Sequence, residues 1–236
     1  MATPVSILII VTAHAALGST GQSTGLWLEE FTTPYYEFVE ANAKITVASL
    51  PGGQIPLDPH SVRDAGANPP SVERFLKDST AQQFLKASVP LSQLSPQGWD
   101  IVFVPGGHGA MWDLASSEDL GRFLSEAWKD NAILGSVCHG PAAFVNAKDV
   151  NGEPLVKGKI VNAFTDSEEA AMRLTTTVPF KLETKLRSLG AQFVRGADFT
   201  ANVAEDGRLI TGQNPMSSAL VAQALLKAVT TYRQHN

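Results

Sequence analysis

Cysteine is almost absent: the 236-residue chain contains one, Cys138. An internal disulfide framework and a CxxC redox pair are therefore excluded, and a reduced, cytoplasmic setting is expected. Charge is sparse as well. Charged residues make up 17% of the chain, the net charge is −5, and Lys and Arg form no cluster, so nucleic acid is not an expected partner. Apart from histidine, no basic residue precedes Lys44. The apolar run Ile7-Leu8-Ile9-Ile10-Val11, followed by Ala13-His14-Ala15, consequently lacks the charged start of a signal peptide. The run is also too short to cross a membrane, and it reads as a buried first strand. Neither GxGxxG nor GxxxxGK[ST] is present, so no nucleotide cofactor is expected. No HxxxH or paired His-carboxylate spacing marks a metal site, and His14, His60 and His235 are not read as ligands.

Apolar residues make up 44% of the chain. That supports one substantial core, and the length suits a single domain over residues 1–236. Strands are predicted over residues 6–12, 44–49, 101–104, 132–137, 160–161, 192–194 and 209–211. The near-continuous apolar character of 7–11 and 101–104 implies burial on both faces, hence a parallel sheet. Helices are predicted over 27–41, 120–130, 141–146, 179–189 and 217–232. This alternation describes an α/β sandwich with right-handed crossovers. Residues 52–99 are punctuated by Pro51-Gly52-Gly53, Asp58-Pro59 and Asn68-Pro69-Pro70. They read as an excursion at the sheet edge, with helical character near 71–85.

Chemistry concentrates where predicted strands end. Ile133-Leu134-Gly135-Ser136-Val137-Cys138-His139-Gly140-Pro141-Ala142 has the layout of a nucleophile elbow, a strand turning sharply into a helix among small residues. Pro141 suits the first helical position. A lone cysteine is also commonly a buried apolar residue, so the segment by itself supports two readings. A second strand runs into Pro105-Gly106-Gly107-His108-Gly109, which is either a plain tight turn or one whose glycines let backbone N–H groups approach an oxyanion. In Gly25-Leu26-Trp27-Leu28-Glu29-Glu30-Phe31, Glu30 falls near the apolar helix face. Desolvation there would keep its carboxyl protonated near neutral pH, although the segment by itself fits a solvated helix glutamate better. Phe164-Thr165-Asp166-Ser167-Glu168-Glu169 places an acidic cluster after another strand. It serves either to orient a catalytic histidine or as an ordinary helix N-terminus.

These segments together resemble the PfpI superfamily, and within it the heat-shock-protein-like glyoxalase III branch, over residues 6 to about 229. Thr211-Gly212-Gln213-Asn214-Pro215 matches the branch's late strand-to-helix motif. The resemblance implies a flavodoxin-like three-layer α/β sandwich with a mostly parallel central sheet, related to the class I glutamine amidotransferase fold. It implies Cys138 as nucleophile, Glu30 as the acid touching its sulfur, His139 as the adjacent catalytic histidine, and Gly107 and His139 amides as oxyanion donors. Gly106 and His108 would line the same substrate site, and Glu168, in preference to Glu169, would be the third acid. The implied reaction converts methylglyoxal to lactate without glutathione, metal or nucleotide, on a thiolate favoured by Glu30 and by the helix starting at Pro141. A homodimer with a cytoplasmic stress role is the family pattern. Holdase chaperone, deglycase and cysteine peptidase are its alternatives.

Overall fold

The apolar runs of the chain form strands that are covered on both sides. A computed structural model describes residues 3–235, with backbone alone for Gln234 and His235, so the His235 ring lies outside the described residues. The main sheet contains β1 (Ser6–Ile10), β2 (Lys44–Ser49), β3 (Val89–Pro90), β4 (Ile101–Val104), β5 (Ile133–Val137), β8 (Val203–Asp206) and β9 (Leu209–Gly212), in the order β3-β2-β1-β4-β5-β9-β8. All neighbours run parallel except β8 with β9.

Successive residues of β1 serve opposite cores. Ile7 and Ile9 pack with Phe31 and Phe38 of α1 (Leu28–Glu40) and with Val221 and Leu225 of the C-terminal helix α8 (Ser218–His235). Leu8 and Ile10 belong to the opposite core, which also contains Leu120 and Leu124 of α5 (Glu118–Lys129) and Leu182 and Leu186 of α7 (Leu182–Ser188). This is the three-layer sandwich, and it explains why β1 and β4 show no polar alternation.

Several elements differ from the sequence reading. The predicted strands at 160–161 and 192–194 pair with each other, as β6 (Ile160–Val161) and β7 (Gln192–Phe193), in a separate two-stranded sheet. Edge strand β8 escapes the pattern because Val203-Ala204-Glu205-Asp206 is short and only Ala204 is buried. The helical stretch near 71–85 breaks into α2 (Pro70–Phe75) and α3 (Ser79–Lys86), because Asp78 Oδ1 accepts the Ala81 N–H and starts a new helix. A short helix, α4 (Asp113–Ser116), follows the glycine-rich turn. The helix expected over 141–146 is a five-residue 3₁₀ turn, Gly140–Phe144. The acidic cluster forms α6 (Asp166–Ala171).

Strand order reverses at β1: the chain proceeds from β1 to β2 and β3 on one side, then crosses to β4 and β5 on the other. In open α/β sheets the crevice at such a switch point is where ligands bind. The segments that follow β1, β4 and β5 meet there. Trp27 N–H donates to the Gly106 carbonyl at 3.2 Å, tying the approach to α1 to the glycine-rich turn after β4. Gly107 has φ 103°, and a Cβ on it would collide with the Gly25 carbonyl.

Candidate active site

Cys138 is the residue immediately after β5, and its backbone is left-handed at φ 60°. A non-glycine residue pays about 1–2 kcal/mol for that conformation. Main-chain bonds on both sides hold it: Cys138 N–H donates to the Gly212 carbonyl, and the Cys138 carbonyl accepts the Phe164 N–H, each at 2.9 Å. The turn closes only with small neighbours. A Cβ on Gly106 would lie 2.6 Å from the His139 nitrogen, and one on Gly140 would strike the Val104 carbonyl.

This backbone sets the side chains. Cys138 Sγ lies 3.3 Å from His139 Nδ1, and His139 Nε2 lies 2.7 Å from Glu169 Oε2. The other oxygen of that carboxylate, Oε1, is 2.8 Å from His108 Nε2. The two imidazoles are tilted by 41° with centroids 4.1 Å apart. A carboxylate only accepts, so each histidine donates from Nε2, and His139 presents the lone pair of Nδ1 to the sulfur. Burial, followed by the neighbouring His108, lowers the His139 pKa against the opposing pull of Glu169. His139 is therefore neutral and able to accept a proton. Burial alone would raise the Glu169 carboxyl, but His139 and hydrogen bonds from both histidines outweigh it and hold the group well below the usual carboxylate range. With His139 neutral its charge is absent, and the two imidazole N–H donors are what keep the Glu169 carboxyl ionised. The donors of His108, His139 and Glu169 lie within 4.8 Å of one another, a set able to hold a cation. Here they are bonded directly to each other, and an ion would have to replace both hydrogen bonds.

Glu30 approaches from the first turn of α1 and is fully buried. Its Oε2 accepts the Gly106 N–H at 2.7 Å, whereas Oε1 makes no hydrogen bond of ordinary geometry among the described residues. Burial raises its pKa to about 8, against smaller lowering contributions from the Cys138 thiol and the Gly106 N–H. Burial likewise pushes the Cys138 thiol upward, and a charged Glu30 would push it further. At neutral pH Glu30 keeps its proton, so that charge is missing and an acid stands beside the sulfur instead.

The geometry brings Glu169, and not the expected Glu168, to the histidines. Glu168 occupies the third position of α6, where it turns back on the cap: its Oε2 accepts from Thr165 N–H at 2.9 Å and from Thr165 Oγ1 at 3.0 Å. Its Oε1 accepts from Phe199 N–H, Asn214 Nδ2 and Gln213 Nε2 at 2.8, 2.9 and 3.2 Å. Glu169, one residue round the helix, takes the histidines. The acidic cluster thus divides between a helix cap at Glu168 and the histidine contacts of Glu169. Gly106 is also placed differently from expectation, because its N–H goes to Glu30 and not to the cavity. Gly107, His108, Cys138 and His139 do line a cavity of about 170 Å³, walled by Trp27, Phe164 and Phe199 among others. Among the described residues, neither the Gly107 nor the His139 N–H donates to a backbone carbonyl. The thiolate-stabilising helix expected from Pro141 is reduced to the 3₁₀ turn, too short to develop an α-helical dipole.

Fold and site together define an α/β protein that presents a cysteine on a strained strand-end turn, backed by a histidine–carboxylate pair. The chain belongs to the DJ-1/PfpI family, whose model matches residues 24–228. It is 30% identical to the glutathione-independent glyoxalase hsp3101 of Schizosaccharomyces pombe, over 99% of this chain and 100% of that one. Its fold matches the crystal structure of glyoxalase III from Candida albicans with TM-score 0.86 and 29% identity, covering 95% of this chain and 97% of that one. It also matches the Rapid Encystment Protein of Francisella tularensis with TM-score 0.89 and 34% identity, covering 95% and 99%. Among the described residues, no helix is long and apolar enough to cross a membrane.

Two stability measurements follow. Glu168→Ala removes the acceptor of five donor contacts, four of them buried, so urea denaturation should show a loss of roughly 3 kcal/mol or more, given about 1–3 kcal/mol per unsatisfied buried group. Glu169→Gln, which preserves shape, should cost less. The second concerns Glu30, whose folded pKa of about 8 exceeds its ordinary 4.5. The folded state thus binds the extra proton between those values, and its contribution to stability is complete below about pH 4.5 and lost as pH rises through about 8. Denaturation midpoints should fall across that window in the wild type and flatten in Glu30→Gln.

Proposed function

We propose that the protein is a glutathione-independent glyoxalase that converts methylglyoxal to lactate at Cys138. The observation that carries this reading is the line Cys138 Sγ–His139 Nδ1 and His139 Nε2–Glu169 Oε2, with a buried Glu30 beside the sulfur. It occurs in a chain similar end to end to a protein named for that activity.

The reaction starts when neutral His139 takes the thiol proton at Nδ1 and Sγ bonds to the aldehyde carbon. The oxygen of the resulting hemithioacetal faces the Gly107 and His139 amides. His139 hands the thiol proton to that oxygen and, neutral again, removes the hydrogen from the same carbon, giving an enediol, then returns that proton to the neighbouring carbon. The product is the thioester of lactate on Cys138. Water then attacks the thioester carbonyl, breaks the C–S bond and releases lactate with the thiol restored. Protons move within the site, water is the one co-reactant, and the substrate carbons exchange oxidation level internally.

Incubation with methylglyoxal in glutathione-free buffer, followed by product identification, should show lactate. Cys138→Ser should lower the rate on the order of a thousandfold or more. Glu169→Gln presents an N–H to His139 and flips its tautomer, so Nδ1 no longer accepts; a loss on the order of 10²–10⁴-fold is expected. Activity should decline as pH rises through about 8, where Glu30 loses its proton and its charge opposes the thiolate, and Glu30→Gln should abolish that alkaline limb. Undiminished lactate formation by Cys138→Ser would overturn the reading.

A further inference from the structure

The chemistry above occupies only the floor of the cavity. Its walls are Trp27, Phe164, Met172, Phe199, Pro215 and Met216, and besides Cys138 and the two histidines no described lining residue can ionise. Three of these wall residues are large apolar side chains left partly in solvent: Phe199 is 39% exposed, Met172 44% and Met216 52%. Scattered exposed apolar residues carry little meaning. These three come from separate segments, namely the loop before β8, the C-terminal end of α6 and the 3₁₀ turn Pro215–Ser217, and they converge on one mouth.

Their placement is held against a cost. Phe199 has left-handed backbone, φ 54°, where a bulky residue is disfavoured. The buried Glu168 carboxyl accepts its N–H at 2.8 Å and fixes it there. The Phe199 ring then stands edge-on to Phe164 at 6.2 Å between centroids, and Phe164 lies 4.6 Å from the His139 imidazole. An aromatic column thus runs from the candidate base to the cavity mouth. The two methionines beside it are flexible and polarizable, suited to closing on a ring through sulfur–aromatic contacts.

A 2-oxoaldehyde bonded through C1 to Sγ, with its C2 oxygen within reach of the base, must direct its remaining substituent away from the floor toward that mouth. A methyl group leaves the walls wet, whereas a ring desolvates them. Taking the glyoxalase reading as its basis, we propose that the preferred substrates are 2-oxoaldehydes bearing an aromatic or bulky apolar substituent, with Phe199, Met172 and Met216 as the specificity-determining residues. The bond changes are those of the methylglyoxal reaction, so phenylglyoxal and water give mandelate.

The test is kcat/KM for phenylglyoxal and for methylglyoxal, each without glutathione, with mandelate and lactate identified as products. The wild type should favour phenylglyoxal by about tenfold or more, the yield of burying a ring-sized apolar group. Phe199→Ala and Met216→Ala should each lower that ratio by about threefold or more. The intrinsic reactivities of the two aldehydes cancel when ratios are compared between proteins. Met216 is half exposed, so Met216→Ala keeps the comparison informative even where Phe199→Ala does not fold. Equal turnover of both aldehydes, or a ratio unchanged in a folded variant, overturns the specificity inference and leaves the glyoxalase reading standing. Turnover of neither aldehyde overturns both.

Discussion

The left-handed turn at Cys138 is the constraint from which the rest of the site follows. Its backbone is bonded forward to Phe164 and across to Gly212, so it belongs at once to β5, to the end of β9 and to the segment after β6. With φ at 60°, Sγ stands 3.3 Å from Nδ1 of the next residue, His139. The same turn brings the His139 nitrogen so near Gly106 that no side chain fits there. It thereby fixes the course of the β4 turn and, through Trp27 N–H on the Gly106 carbonyl, the entry to α1 that carries Glu30.

Two buried carboxyls within this frame are driven to opposite protonation states by what surrounds them. Glu30 receives one backbone N–H and otherwise meets apolar surface and a thiol, so desolvation dominates and the acid form persists to about pH 8. Glu169 is also buried, yet a histidine N–H reaches each of its oxygens and it stays ionised. Environments that separate like groups in this way assign acid and base roles without any difference in residue type. For Cys138 the result is an acid on one side and a neutral, oriented acceptor on the other. A buried thiol that would not ionise alone thus has a route for its proton.

Much of this was legible in the sequence because it depends on residue types that local geometry demands. The elbow shows through Gly135, Ser136, Gly140 and Pro141 and the β4 turn through Gly106 and Gly107, whereas Glu30 taken alone reads better as a solvated helix glutamate and stands out only beside the other two segments. The third acid was not legible, for a definite reason. Glu168 and Glu169 are chemically identical neighbours, and which one faces the histidines depends on where α6 begins. Thr165 caps that helix and its third residue returns to the cap. In hindsight the Thr-x-x-Glu spacing at Thr165 and Glu168 carries the capping-box signal that removes Glu168 from the choice. His108 as a second histidine on the same carboxylate had no such signal, since the contact spans 61 residues of sequence. The pairing of β6 with β7 outside the main sheet is equally non-local, because two-residue strands carry no periodicity.

The adjacency of Glu168 and Glu169 also joins chemistry to cavity shape. Glu169 orients His139, while Glu168, through Phe199, Gln213 and Asn214, gathers the segment before β8 and the segment after β9 over the cavity. Both carboxyls are set by the single helix start at Thr165. A shift of α6 by one residue would therefore misdirect the histidine and release Phe199 together. The geometry at the sulfur and the wall that meets a substrate's substituent form one structural unit, since neither carboxyl can be moved without moving the other.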